Sequence, residues 1–157
     1  MANYECAWRT NYFRVKNADL FRQAMELTKK TSEDLYIKES CSGVFMLGGY
    51  GSPSFYPGWL DEEEDFQAAK EVMEKIGLQY NECEEDEDFF FKVLQKCVDE
   101  NDAILFKEGG WEKLRYIGIS AGVITSKSIE WIEIDKQLFA TARKLLKNDN
   151  WETQLEY

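Results

Sequence analysis

Carboxylates are the reactive groups this chain has in quantity. Asp61, Glu62, Glu63, Glu64 and Asp65 form one run, and Glu84, Glu85, Asp86, Glu87 and Asp88 a second. Such runs bind hard cations weakly, but neither has the D-x-D-x-D-G spacing and distal Glu of an EF-hand. Glycoside hydrolysis uses two carboxylates opposed across a cleft, one with a raised pKa. Crowded, solvated acids do not offer that isolation. A carboxylate near the sheet, Glu130 or Glu133, is the better candidate for a small carboxylate enzyme. The acid runs themselves point to electrostatic recognition. Carboxylates along a helix and its connector imitate the dense charge of a nucleic-acid backbone, and complementary charge raises association rates. Tyr56 and Trp59, just before the first run, would supply the aromatic anchors that charge alone does not.

Other chemistries are excluded or weak. The 157 residues contain no histidine. Ser-His-Asp and Cys-His catalysis and HExxH metal sites are therefore absent. Gly118-Ile119-Ser120-Ala121-Gly122 spells G-x-S-x-G. That motif acts only on a strand-to-helix elbow with a histidine base, and here it falls inside a predicted strand. Gly48-Gly49-Tyr50-Gly51-Ser52 is neither G-x-G-x-x-G nor a Walker A loop, and acids follow it. Cys6, Cys41, Cys83 and Cys97 form no C-x-x-C pair, so a zinc site is not expected. No cofactor or metal is expected.

Charge placement sharpens this picture. The chain holds 19 Lys/Arg and 30 Asp/Glu, a net of −11. Residues 61–102 hold 16 acids against 4 bases, a net of −12, so the whole excess sits in one segment. A field this negative repels nucleic acids and anionic membranes and attracts basic protein surfaces. Direct nucleic-acid binding is not expected, although Arg9, Tyr12 and Arg14 interleave cations and an aromatic on one strand in the manner of a single-strand stacking platform. No apolar run approaches the ~18 residues of a membrane span. The first 16 residues lack the apolar core of a signal peptide, and the reading is a cytoplasmic protein of a bacterial host.

The elements that must position these residues follow from periodicity. Residues 4–16 read as one strand, rich in aromatic and β-branched side chains. Asn17 caps a helix over 18–30 with Leu20, Phe21, Ala24, Met25 and Leu27 as its stripe. Residues 34–39 and 44–49 read as two strands joined by a turn at 40–43, and 48–59 as a loop. Helices are predicted over 61–76, stopped by Gly77, and over 89–98. Residues 102–107, 113–125 and 129–134 read as a meander with Gly109-Gly110 as its first turn. Asp135 then caps a helix with Leu138, Phe139, Ala142, Leu145 and Leu146 as a buried face. Both capped helices spell L-F-x-x-A-x-x-L, which any amphipathic helix docked on a sheet requires, so we read no duplication from it. The prediction is a single α+β domain over 1–157, a mostly antiparallel sheet with helices on one face, and an acidic helical insertion at about 61–100.

Three segments carry a family likeness. Arg9-Thr10-Asn11-Tyr12-Phe13-Arg14-Val15, the Gly48-Gly49-Tyr50-Gly51 loop, and Glu112-Lys113-Leu114-Arg115-Tyr116 followed by Trp131-Ile132-Glu133-Ile134 resemble a group of small proteins carried by bacterial phages and plasmids. The resemblance implies no activity and transfers no catalytic residues. It implies a setting in which genes of this size encode inhibitors of host defence, anti-CRISPR and anti-restriction proteins among them. The expected function is thus a non-enzymatic acidic inhibitor that occupies a basic nucleic-acid-binding surface of a defence nuclease. The alternatives are an immunity protein against a toxin nuclease and the small carboxylate enzyme.

Overall fold

The structure is a computed structural model and describes residues 5–32, 34–79, 86, 88–112 and 116–153. It is α+β: a seven-stranded antiparallel sheet with four α-helices. The strands are β1 (Glu5–Thr10), β2 (Phe13–Arg14), β3 (Tyr36–Cys41), β4 (Val44–Tyr50), β5 (Ile104–Glu112), β6 (Tyr116–Ile124) and β7 (Ile129–Ile132). The helices are α1 (Ala18–Thr31), α2 (Glu63–Lys75), α3 (Phe89–Cys97) and α4 (Ile134–Leu146). The sheet order is β2-β4-β1-β5-β6-β7, with β3 also paired to β4. The last three strands form the predicted meander.

Strand alternation divides the side chains into two sets. Trp8, Phe13, Phe45, Leu47, Ile104, Phe106 and Ile124 are buried in one cluster with Phe21 and Met25 of α1, Val72 and Met73 of α2, and Phe90, Val93 and Leu94 of α3. These three helices therefore cover one face. The two helices of the acidic segment, α2 and α3, both feed this core, because the acids of α2 alternate at helical spacing with the buried Ala69, Val72 and Met73.

Local chemistry explains the boundaries. The Asn17 side chain accepts from the Asp19 and Leu20 amides at 3.1 and 3.0 Å, capping α1 as predicted. Gly77, at φ 76°, stops α2 in the left-handed region that favours glycine.

Three expectations are corrected. The strand expected over residues 4–16 is two strands. Asn11 breaks it by using its amide like backbone: Oδ1 accepts from the Leu105 N–H at 2.8 Å and Nδ2 donates to the Ala103 carbonyl at 3.1 Å. Gly109-Gly110 is not a turn. Both glycines lie inside β5, paired with Ala7 and Cys6 on one side and Ile119 and Gly118 on the other. Ladders on both flanks hold them extended despite their turn propensity. The connection to β6 falls at 113–115, outside the described residues. Finally, α4 starts two residues earlier than expected, with Glu133 rather than Asp135 at its N-cap, and none of its residues is buried.

Among the described residues, no helix is long and apolar enough to cross a membrane.

Candidate functional site

The acidic runs separate into exposed and internally engaged carboxylates. Asp61, Glu62, Glu63 and Glu64 stand exposed where the chain enters α2. The first-turn acids Glu63, Glu64 and Asp65 lie at the positive end of the helix dipole, which favours them there. Glu63 accepts from Gln67 Nε2 at 2.8 Å. Asp65 differs from its neighbours: it is half-buried and takes Lys30 Nζ of α1 at 2.6 Å on both oxygens. It ties α2 to α1 and is withdrawn from the proposed face. In the second run, Asp86 pairs with Lys92 and accepts from the Asp88 N–H at 3.1 Å. Glu84, Glu85 and Glu87 lie outside the described residues.

The two aromatic anchors also part company. Tyr56 is 2% exposed and belongs to the core. Its ring meets Phe89 edge-on at 5.5 Å, and Trp59 packs against it at 6.1 Å. The expectation of a surface anchor at Tyr56 is corrected. A residue in an aromatic loop gains more by burying its ring under α3 than by facing water. Trp59 ends the short 3-10 turn Pro57–Trp59 and stays partly exposed.

Beside Trp59 the structure holds a recess of about 430 Å³ on the helix-covered side of the sheet. Trp59, Phe91 and Trp131 give it aromatic walls, and Asp88, Glu108 and Ser120 place oxygens at it. Ser52 Oγ donates to Glu108 Oε1 at 3.3 Å. Trp131 stands edge-on to Phe91 at 4.8 Å and to Phe106 at 5.8 Å. Gly122 lets it lie there, since a Cβ on Gly122 would meet the Trp131 ring at 2.8 Å. The recess joins a loop, a helix start and three strands, so spacing along the chain does not reveal it. Of its lining, Trp59, Asp88 and Ser120 stand out in the sequence, each for a different reason and none as part of a recess.

The other sequence candidates fall elsewhere. Ser120 lies in mid-strand, and G-x-S-x-G forms no elbow. Glu130 and Glu133 are exposed and do not line the recess, and Glu133 pairs with Lys136 at 2.5 Å. Among the described cysteines, Cys41 is exposed, while burial pushes the Cys97 thiol up to about 12, out of reach of thiolate chemistry at neutral pH. Cys83 lies outside the described residues. No group of three or more Cys, Asp or Glu side chains among the described residues is arranged to hold a metal ion.

An aromatic recess lined also by two carboxylate residues suits a cationic side chain. The rings attract a cation through their faces, and the acids accept its N–H donors. No family model, curated protein or solved structure matches the chain.

Proposed function

We propose that the protein is a non-catalytic inhibitor that docks on a basic, nucleic-acid-binding surface of a bacterial defence nuclease. The observation that carries this reading is that the exposed acids Asp61, Glu62, Glu63 and Glu64 follow within five residues of Trp59 in the chain, and Trp59 lines the recess with Trp131 and Asp88. The four acids make no ion pair among the described residues. They steer a basic surface, and the recess takes one of its Arg or Lys side chains as a desolvated anchor. Arginine fits best, because its planar guanidinium both stacks on Trp and binds carboxylate in a fork. The interaction face is accordingly Trp59, Asp61, Glu62, Glu63, Glu64 and Asp88, without Tyr56 and without the engaged Asp65 and Asp86.

The test is competition with DNA. The protein is immobilised and used to capture its partner from a bacterial lysate, and the partner's binding to labelled duplex is then measured with and without the protein. The reading expects a DNA-binding partner, displacement of DNA, and weaker capture as salt rises. A folded variant with Asp61, Glu62, Glu63 and Glu64 all changed to Lys, or with Trp59→Ala, should lose capture. Undiminished capture by both folded variants would overturn the face, and a partner that does not bind DNA would overturn the function.

A further inference from the structure

The opposite face of the sheet presents a different surface. Its cross-strand register puts Tyr36, Gly48, Arg9 and Lys107 in one row over β3, β4, β1 and β5. The next row is Tyr50, Ala7, Gly109 and Ile119, over β4, β1, β5 and β6. Gly48 in the first row and Ala7 and Gly109 in the second leave a trough of about 870 Å³, with Tyr36 and Tyr50 at one end. Both tyrosines are exposed, Tyr50 at 75%.

The pair Arg9 and Lys107 is the informative feature. They are directly opposite on neighbouring strands, and like charges so placed destabilise a sheet. Neither makes an ion pair among the described residues. In a chain with 30 acids, these two facing cations pair with no carboxylate among the described residues. Glu108, between Lys107 and Gly109 in sequence, turns its side chain to the other face, where Ser52 donates to it.

We propose that this trough binds a nucleoside phosphate. Arg9 and Lys107 hold the phosphate, and the base lies over Gly48 against Tyr36 and Tyr50. Two strand spacings, roughly 9–10 Å, separate Tyr36 from Arg9, a span that suits a base and its 5′-phosphate. Asp34 lines the tyrosine end and supplies an acceptor for a ring amino group. The ligand is a single nucleotide rather than a strand. Each added phosphate meets the repulsion of the net −11 charge, while the trough is lined by Arg9, Lys107 and a Lys38 already set against the Tyr12 ring. This site is independent of the acidic face, and neither proposal needs the other.

Isothermal titration with the four ribonucleoside 5′-diphosphates tests the site, alongside free adenosine, inorganic phosphate and a ten-residue oligothymidylate. At least one diphosphate should bind more tightly than adenosine or phosphate, with amide shifts at Gly48 and Gly109. Arg9→Ala and Lys107→Ala should each weaken it by about tenfold or more, the weight of a charged hydrogen bond. Tyr36→Ala should weaken it several-fold, as loss of one stacking partner does. Gly109→Leu serves as a blocking variant that should stay folded, since a Cβ there meets nothing within 4 Å. Absence of diphosphate binding at millimolar concentration would overturn the proposal. So would equal binding of inorganic phosphate, tighter binding of the oligothymidylate, or unchanged affinity in the folded Arg9→Ala/Lys107→Ala double variant.

Discussion

Helices α1 and α4 share a sequence pattern and meet opposite fates. Each follows a strand at an end of the sheet and spells L-F-x-x-A-x-x-L. In α1, Phe21, Ala24, Met25, Leu27 and Thr28 are buried. In α4 nothing is buried, and Leu138, Leu145 and Leu146 stay exposed, Leu145 at 78%. The difference lies in what holds the two ends. The strands before and after α1, β2 and β3, both pair with β4, so α1 is pulled across the sheet and pressed on it. Phe21 meets Phe45 of that strand at 4.7 Å. Helix α4 follows β7 at the sheet edge and reaches the sheet beside β6, with no strand after it among the described residues to draw it across the face. Its apolar stripe meets Trp151, which packs on Phe139 at 6.0 Å while its carbonyl accepts from Arg143 Nε at 2.9 Å. An amphipathic stripe thus specifies a face to be covered, and topology decides how much covers it.

The largest expected effect separates the two phenylalanines. Phe21→Ala empties a fully buried site and should cost about 3–5 kcal/mol. Phe139→Ala, at the matching position in α4, should cost under about 1 kcal/mol. Urea denaturation of the two variants measures both. Equal losses would mean that α4 is as much a part of the cooperative unit as α1.

The caps give the next effect. Asn17→Ala removes a side-chain oxygen that serves two amides and should cost about 1 kcal/mol. Glu133 occupies the N-cap of α4 without a side-chain cap bond, so Glu133→Ala should change stability by less than about 0.5 kcal/mol. A comparable loss at both positions in thermal melts would erase the distinction between a capped, pinned helix and an uncapped, peripheral one.

At the other end of α4, Lys147 closes the helix at φ 53°. A side chain in the left-handed region carries strain that glycine does not. Lys147→Gly should therefore raise helicity at the α4 terminus, with a gain of up to about 1 kcal/mol confined to that local structure. Hydrogen exchange at the Asn148 amide, which donates to the Arg143 carbonyl at 3.1 Å, reads it directly. Faster exchange there would contradict a strained cap.

The same contrast explains what was legible in the sequence. Periodicity and capping located all four helices, because both signals lie within a few residues of each other. The α+β class and the C-terminal meander followed from element order. Contacts distant in sequence were hidden. Asn11 breaks the first strand only through backbone groups of residues 103 and 105. Gly109-Gly110 stays extended only because Ala7 and Cys6 pair there. Of the candidate face, the exposed acids at 61–64 were readable as charge. The capture of Asp65 by Lys30, 35 residues away, and the burial of Tyr56 under α3 were not. Nor was the pairing of Arg9 with Lys107, which exists only in the register of two strands nearly a hundred residues apart.

The smallest effect concerns a pair on the well-held side. Arg22 of α1 donates to Glu39 of β3, Nη2 to Oε1 at 2.8 Å and Nε to Oε2 at 3.1 Å. The Arg22 hydrogen bonds hold the Glu39 carboxyl below its ordinary 4.5, helped by the Gly43 N–H. A carboxyl lowered by folding binds fewer protons in the folded chain than in the unfolded one, so stability falls as pH falls. The contribution is fully present above the ordinary carboxyl value and is lost as pH drops from about 4.5 through the lowered one. The pair is solvent-exposed, so the slope it adds is shallow and is screened by salt. Glu39→Gln should flatten the acid limb of the stability curve slightly, and more in low salt than in high. Helix α4 has a counterpart in Lys136 and Glu133, an exposed contact within one helix turn. That pair joins no two elements, so Glu133→Gln should leave the acid limb of global unfolding where it was. An equal change in the two variants would show that ion pairing across α1 and β3 adds nothing to what one helix turn already provides.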